Sequence, residues 1–265
     1  MSFPVRTVAL AVSALLASAV APAARSADLD FDPDSGLTWH MGDGKNSPSL
    51  TLDGRFHGDY ARYDDDVTLF DDGVLLRRLR PALTLDWGDW RAKVDYEFND
   101  RSQGVHTAYV EYDGFKRTAL RAGAQPIAFG FEASGSSNTN PFMERSLASS
   151  ALAPGSMAGL SIRRWNDHWS YSAGAYANDI NDDEQRGLDG YGLIGRATGL
   201  PVHSDGNRVH LGISLEYRQA DSNAELRYRT RPESNVDGAR LVDTGPIPDV
   251  ERLGTEAIEL AWQHR

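Results

Sequence analysis

The chain of 265 residues contains no cysteine. That excludes disulfide staples and thiolate metal sites, so an exported chain of this length must draw its stability from elsewhere. Beyond the N-terminal region no stretch reaches the ~18 uninterrupted apolar residues that a membrane helix requires. A mean hydropathy of −0.47 excludes a helical membrane protein. It does not exclude a closed sheet, in which half of each strand is polar and every backbone group is paired. Catalytic arrangements are missing as well. Gly155-Ser156-Met157-Ala158-Gly159 carries Met where a nucleophile elbow needs Ser. The seven His show no His-x-x-x-His spacing for zinc. Carboxylates abound, 38 Asp and Glu against 27 Lys and Arg, but no two stand out as a glycosidase pair. The net charge of −11 argues against nucleic acid as a partner. Nothing here calls for an enzyme, a metal or a cofactor.

What the chain does have, from Ser49 to about Trp262, is runs of roughly ten residues that alternate apolar and polar. In Leu50–Arg62 the even positions Leu50, Leu52, Phe56 and Tyr60 are apolar, and the odd positions Asp53, Arg55, His57 and Asp59 are polar. Leu79, Leu83, Leu85 and Trp87 alternate with Arg78, Arg80, Thr84 and Asp86. Across Gly88-Asp89 the pattern resumes, with Trp90, Ala92, Val94, Tyr96 and Phe98 against Arg91, Lys93, Asp95 and Glu97. Further strands are predicted at 106–113, 118–125, 159–165, 169–178, 207–218, 223–231 and 253–263, about ten in all. Successive side chains of a strand point to opposite faces, so each sheet face is chemically uniform. Repeated along an exported chain, this pattern predicts an all-β fold, an antiparallel transmembrane β-barrel over residues 49–265. The rival reading is a secreted soluble β-sandwich, either a carbohydrate-binding module or a hydrolase.

Residues 1–27 read as a signal peptide, with basic Arg6, apolar Val8 to Val20, and small-residue cleavage sites at Ala21-Pro22-Ala23 or Ala24-Arg25-Ser26. This makes the bacterial outer membrane the expected location. Residues 28–48 read as a loose, acidic periplasmic leader. Short turns are expected at Gly88-Asp89, Asp113–Lys116, Asn166–His168 and Ala220–Ser222. Long connections are expected at 63–74, 126–158, 179–206 and 232–252, as periplasmic turns and external loops would be. Trp87 and Trp90, Tyr112 and Phe115, and Trp165 and Trp169 flank three of the short turns, as an interfacial aromatic girdle does.

If the charged face lines a lumen, the residues along the path are Arg55, Arg78, Arg80, Arg91, Lys93, Arg121, Arg208, Arg218, Arg227, Arg229 and Arg231. On a strand, Arg227, Arg229 and Arg231 would project to one side, about 6–7 Å apart. Leu226 and Tyr228 would then face lipid. Stacked guanidiniums favour an anion between them, and their planar forks suit phosphate. The competing reading pairs these cations with carboxylates such as Asp53, Asp86, Asp95, Glu97, Glu111, Glu216 and Glu225, giving a mixed lining.

Several segments resemble the phosphate-selective porin O/P family. They are Arg77-Arg78-Leu79-Arg80-Pro81-Ala82-Leu83, Asp95-Tyr96-Glu97-Phe98, Ala108-Tyr109-Val110-Glu111-Tyr112 and Gly123-Ala124-Gln125-Pro126. The most specific is Pro141-Phe142-Met143-Glu144-Arg145-Ser146-Leu147, followed by Leu152-Ala153-Pro154-Gly155. The resemblance implies a sixteen-stranded outer-membrane porin in contact with lipid, usually a homotrimer, passing phosphate or polyphosphate. It also implies that 126–158 folds inward as the constriction loop, which includes Phe142, Met143, Glu144 and Arg145, with Arg145 a candidate contributor to the narrowing. The triplet is similar in character to the family's arginine ladder. Family members run well past Ala261-Trp262-Gln263-His264-Arg265, so a truncated member is expected; ten strands closing into a small barrel is the alternative.

Overall fold

A two-residue period with one face apolar is satisfied by strands that lie side by side. The computed structural model describes residues 27–44, 46–64, 69–99, 103–179, 188 and 190–264. The predicted signal peptide lies, apart from Ala27, outside the described residues. Eleven strands follow one another as neighbours: β1 (Ala27–Asp32), β2 (Gly36–Met41), β3 (Ser49–Ala61), β4 (Gly73–Trp87), β5 (Trp90–Phe98), β6 (Gln103–Phe115), β7 (Thr118–Pro126), β8 (Ser156–Trp165), β9 (Trp169–Asp179), β10 (Gly190–Ser204) and β11 (Asn207–Ala220). After the small pair β12 (Arg229–Thr230) and β13 (Val242–Asp243), β14 (Arg252–His264) adds beside β11 as the twelfth strand of the sheet. Two short helices, α1 (Phe131–Ser134) and α2 (Leu147–Leu152), lie between β7 and β8. All pairings are antiparallel, and the connections after β3, β5, β7, β9 and β11 leave from one end of the sheet.

The sheet is inside-out relative to a soluble protein. On β11, Leu211, Ile213, Leu215 and Tyr217 are 46–49% exposed, while Ser214, Glu216 and Arg218 are 0–4% exposed. Phe56, Tyr60, Leu160, Leu193, Ile258, Leu260 and Trp262 likewise stand out from the same face. An apolar face of that extent is stable against lipid and a liability in water. Among the described residues no second sheet covers it, which removes the β-sandwich reading. Polar residues of β3 to β9 instead surround one cavity, which Ile194 of β10 also lines, so the sheet curls with its charged face inward. It is the sheet of a β-barrel, open in this structure: β1 and β14 are its edges and do not pair with each other.

Aromatic residues gather at the end carrying the short turns. Trp87 pairs with Trp90 across Gly88-Asp89. Trp90 lies 4.8 Å from Tyr112 between ring centroids, and Tyr112 packs edge-on to Phe115 at 5.3 Å. Rings with one polar and one apolar side suit the membrane–water boundary.

Three expectations are corrected. Residues 28–48 are not a loose leader but carry the hairpin β1–β2, and β2 pairs with the first four residues of β3. The acidic run supplies its turn, the Asp32 carboxylate accepting from the backbone N–H groups of Asp34 and Ser35 at 2.7 and 3.0 Å. Residues 179–206, expected as a long connection, contain the 15-residue β10. Its glycines hid it, because they replace alternating side chains with close backbone contact. A Cβ on Gly192 would sit 2.3 Å from the Tyr217 carbonyl oxygen. Finally, the most regularly alternating segment, 223–231, is no strand of the sheet. It belongs to a 221–251 connection that folds back on itself through β12–β13 and through mutual backbone bonds between Leu226 and Ile247. Leu226 is buried against Leu188 and Leu253 rather than facing lipid. Local alternation is equally satisfied by a small hairpin with its own apolar cluster.

Candidate functional site

The charged inner face begins with an irregularity in β4. Strict period two would send Arg77 outward. The register slips here: His57 opposes Arg78 while Gly58 opposes Leu76, so Arg77 is the extra residue of a bulge. A bulge re-aims a side chain, and Arg77 turns inward beside Arg78. Arg77 Nε lies 2.7 Å from the buried Asp59 carboxylate. Its Nη1 donates to the Met143 carbonyl and lies 3.3 Å from Glu144 Oε2. Arg78 Nη2 donates to the same Oε2 at 2.6 Å. A second slip, between Asp95 opposite Thr107 and Tyr96 opposite Val105, leaves His106 as an extra residue on β6, and it too lines the cavity.

The partner of these arginines comes from the connection 127–155, which crosses the inner face. At one side, Gly130 N–H donates to Ser214 Oγ of β11 at 3.0 Å. At the other, Arg55 Nη1 of β3 donates to Ser137 Oγ at 2.9 Å. Ile127, Phe129, Ala153 and Met157 pack against Ile194 of β10; burial of each large apolar side chain contributes about 1.5–3 kcal/mol. The tip is held internally. Arg145 donates through Nε to Glu132 O at 3.1 Å and through Nη2 to Gly135 O at 2.9 Å. Ser146, the N-cap of α2, donates to the Glu132 carboxylate at 2.6 Å. Burial pushes the Glu144 carboxyl up, but Arg78, the Arg145 backbone N–H and Arg77 together hold it below its ordinary value. Phe142 and Met143, beside it, are exposed.

Beneath this segment lies a cavity of about 680 Å³. Its wall carries eleven cations (Arg55, Arg77, Arg78, Arg80, Lys93, Arg121, Arg145, Arg163, Arg229, Arg231 and Arg240) and five carboxylates (Asp95, Glu97, Glu111, Glu144 and Glu233). A chain of net charge −11 has therefore concentrated positive charge at one place. Low-dielectric walls around a chamber in which one sign predominates focus the field on whatever enters it.

The expected path residues divide. Arg55, Arg78, Arg80, Lys93 and Arg121 line the cavity from the wall, while Arg229 and Arg231 reach it from the 221–251 connection. Arg91 lies elsewhere, paired with Asp86 at 2.7 Å, and Arg208 and Arg218 are not on the cavity wall. The triplet is split: Arg227 turns away and grips Asp243 with two bonds of 2.7 and 2.6 Å. That grip, led by the Arg227 bonds, holds the Asp243 carboxyl well below its usual range.

Pairing with carboxylates is extensive. Arg80 binds Glu97 at 2.7 Å, Lys93 meets Asp53 at 3.3 Å, and Arg121 binds Glu111 at 2.6 Å while lying 3.9 Å above the Tyr109 ring. Arg55 makes no ion pair among the described residues. Deeper along β10–β14, Glu259 receives Arg196 through two bonds of 2.8 Å and contacts His210 at 2.9 Å.

Arg77, Arg163 and Arg240 were not among the expected path residues. The first had a signal: two adjacent arginines inside an alternating strand are either a lipid-facing charge or a bulge, and a bulge costs less. Arg240 had none, since its place depends on how 221–251 folds back.

Fold and site together define a sheet of the porin type, apolar outside and with a cation-rich chamber narrowed by an inward segment. Residues 50–263 match the family model described as phosphate-selective porin O and P. The chain belongs to that family. It is 28% identical over 273 residues to an uncharacterized protein of Caulobacter vibrioides, covering 93% of this chain and 52% of that protein. It is 27% identical over 204 residues to Porin O of Pseudomonas aeruginosa, covering 72% of this chain and 46% of the relative. The chain thus spans about half the length of these curated relatives.

Proposed function

We propose that this protein forms a passive outer-membrane channel for anions, with phosphate or polyphosphate as the substrate class. It acts without a cofactor and catalyses no reaction. Arginines of the β3–β7 wall and of the 221–251 connection line the path, and 127–155 is the constriction. The observation that carries this reading is the excess of cations over carboxylates around the chamber, against the negative charge of the chain as a whole. Many cations already paired with carboxylates fit such a role, because weak, multiple sites let an ion step along without being trapped. The apolar outer face meets lipid, and a homotrimer is the expected assembly.

The test is conductance of the full-length protein in planar bilayers. Under a salt gradient the reversal potential should report anion preference, and added phosphate should block the chloride current. Arg55→Ala with Arg229→Ala and Arg231→Ala should weaken both. Cation preference, or indifference to phosphate, would refute the proposal.

A further inference from the structure

Arginine and lysine attract every small oxyanion, and a guanidinium fork fits phosphate and sulfate alike. What separates these tetrahedral ions is a proton. Near neutral pH inorganic phosphate, as monoanion or dianion, keeps at least one O–H in essentially all of its population, whereas sulfate keeps none. A residue that distinguishes them must be an acceptor aimed at the path, since an acceptor bonds the P–O–H and repels a bare oxyanion.

Four of the chamber's five carboxylates do not serve. Glu97 accepts from Arg80 and from the Leu79 N–H, Glu111 from Arg121, and Glu144 from Arg78 and Arg77. Glu233 is exposed on the 221–251 connection. Asp95 differs from all of them. It lines the cavity and is 6% exposed; its carboxylate takes a side-chain hydrogen bond from Thr107, but its Oδ1 has no hydrogen-bond partner among the described residues. A buried carboxylate oxygen left without a donor is costly, and in a native site it calls for a missing partner.

The surroundings of Asp95 name that partner. Asp95 opposes Ala82, two residues from Arg80, and Arg80 opposes Arg55 on β3. Lys93 precedes Asp95 by two on the same inner face. Arg55, Arg80 and Lys93 act on the Asp95 charge through space, and none makes an ion pair with it. An acceptor faces a cavity in which three cations act together. A bare dianion would satisfy the cations and meet repulsion from Asp95; a neutral solute would satisfy only Asp95. A protonated tetrahedral oxyanion satisfies both, its oxygens taking bonds from the cations and its O–H donating to Oδ1, with no proton transferred.

Resting on the channel reading above, we propose that Asp95 is a specificity-determining residue that admits oxyanions bearing a proton, such as phosphate and arsenate, in preference to those bearing none, such as sulfate and selenate. A hydrogen bond to a charged acceptor corresponds to roughly a tenfold to hundredfold difference in affinity.

Block of chloride current in planar bilayers by each of the four anions at pH 7 tests this directly. In the wild-type channel, phosphate and arsenate should block at concentrations at least about tenfold below those of sulfate and selenate. In Asp95→Asn, whose amide can donate to a bare oxyanion, the two classes should converge. Equal block by all four in the wild type, or an unchanged ratio in D95N, would overturn the role given to Asp95. The wild-type sorting of arsenate from selenate needs no variant, so a D95N chain that fails to insert leaves the test intact. A cation-selective wild-type channel would remove the channel reading and this inference together. An anion-selective, phosphate-blocked channel without sorting would remove this inference alone.

Discussion

Replacing Glu144 by Gln removes one charge and almost no volume at the point where 127–155 meets the wall. In the structure that carboxylate takes a bond of 2.6 Å from Arg78 and a longer one of 3.3 Å from Arg77, with all three side chains 11–14% exposed. Arg77 would keep Asp59. Arg78 would keep only its contact with His57 at 3.3 Å, which a neutral ring satisfies poorly. Losing one strong and one weak charge-assisted bond costs about 2 kcal/mol. That is roughly a 30-fold rise in the fraction of time the tip is detached. The substitution also leaves the eleven cations facing four carboxylates rather than five. Two changes should therefore appear together in single-channel recordings: larger open-channel current fluctuations, and a reversal potential shifted further toward anions. Heat resistance should change little, because the apolar contacts of Ile127, Phe129 and Met157 remain. An E144Q channel as quiet as the wild type, with the same reversal potential, would refute the latch.

The same latch should depend on pH. The Glu144 carboxyl is held below its ordinary value of 4.5, so its contribution is complete above pH 4.5 and is lost as pH falls through the lowered value. Hydrogen exchange of the 136–145 amides, corrected for intrinsic rates, should accelerate only below that window, and acceleration between pH 5 and 7 would contradict it. Glu259→Gln leaves Arg196 and His210 around a buried site without their carboxylate. It should lower stability by about 3–5 kcal/mol, read as a lower temperature for the unfolding shift on a detergent gel. Ile258→Lys places a charge on the exposed outer face. It should cost about 2–4 kcal/mol near the bilayer midplane, measured as a lower urea midpoint in lipid vesicles but not as a change in selectivity. An unchanged midpoint would mean that this face does not meet lipid.

Much of the fold was legible because the outer face of a barrel strand is chemically monotonous. Leu50, Leu52, Phe56 and Tyr60 could only be one face, and in the structure Leu52, Phe56 and Tyr60 stand out from the sheet while Arg55 and Asp59 point in. The strand β10 was illegible for the opposite reason. Gly190, Gly192, Gly195 and Gly199 give it backbone contact instead of alternating side chains. The segment 223–231 misled because a period of two records strandedness and not which sheet a strand joins. Arg77 was hidden because a bulge shifts the period by one residue, and only the pairing of His57 with Arg78 reveals it.

Sequence alone determined the two-faced ribbon, the direction of the apolar face, the absence of cysteine, and the family likeness carried by Pro141 to Leu147. These are properties of local spacing and residue type, and they survive any arrangement of the strands. Tertiary structure alone decided which cations share a chamber, which of them a carboxylate already holds, and that Asp95 faces that chamber with one oxygen unpaired. Such facts depend on the register between strands and on the return of 127–155 and 221–251 across the inner face. Residues as far apart as Arg55 and Ser137, or Gly130 and Ser214, meet only once the sheet has curled.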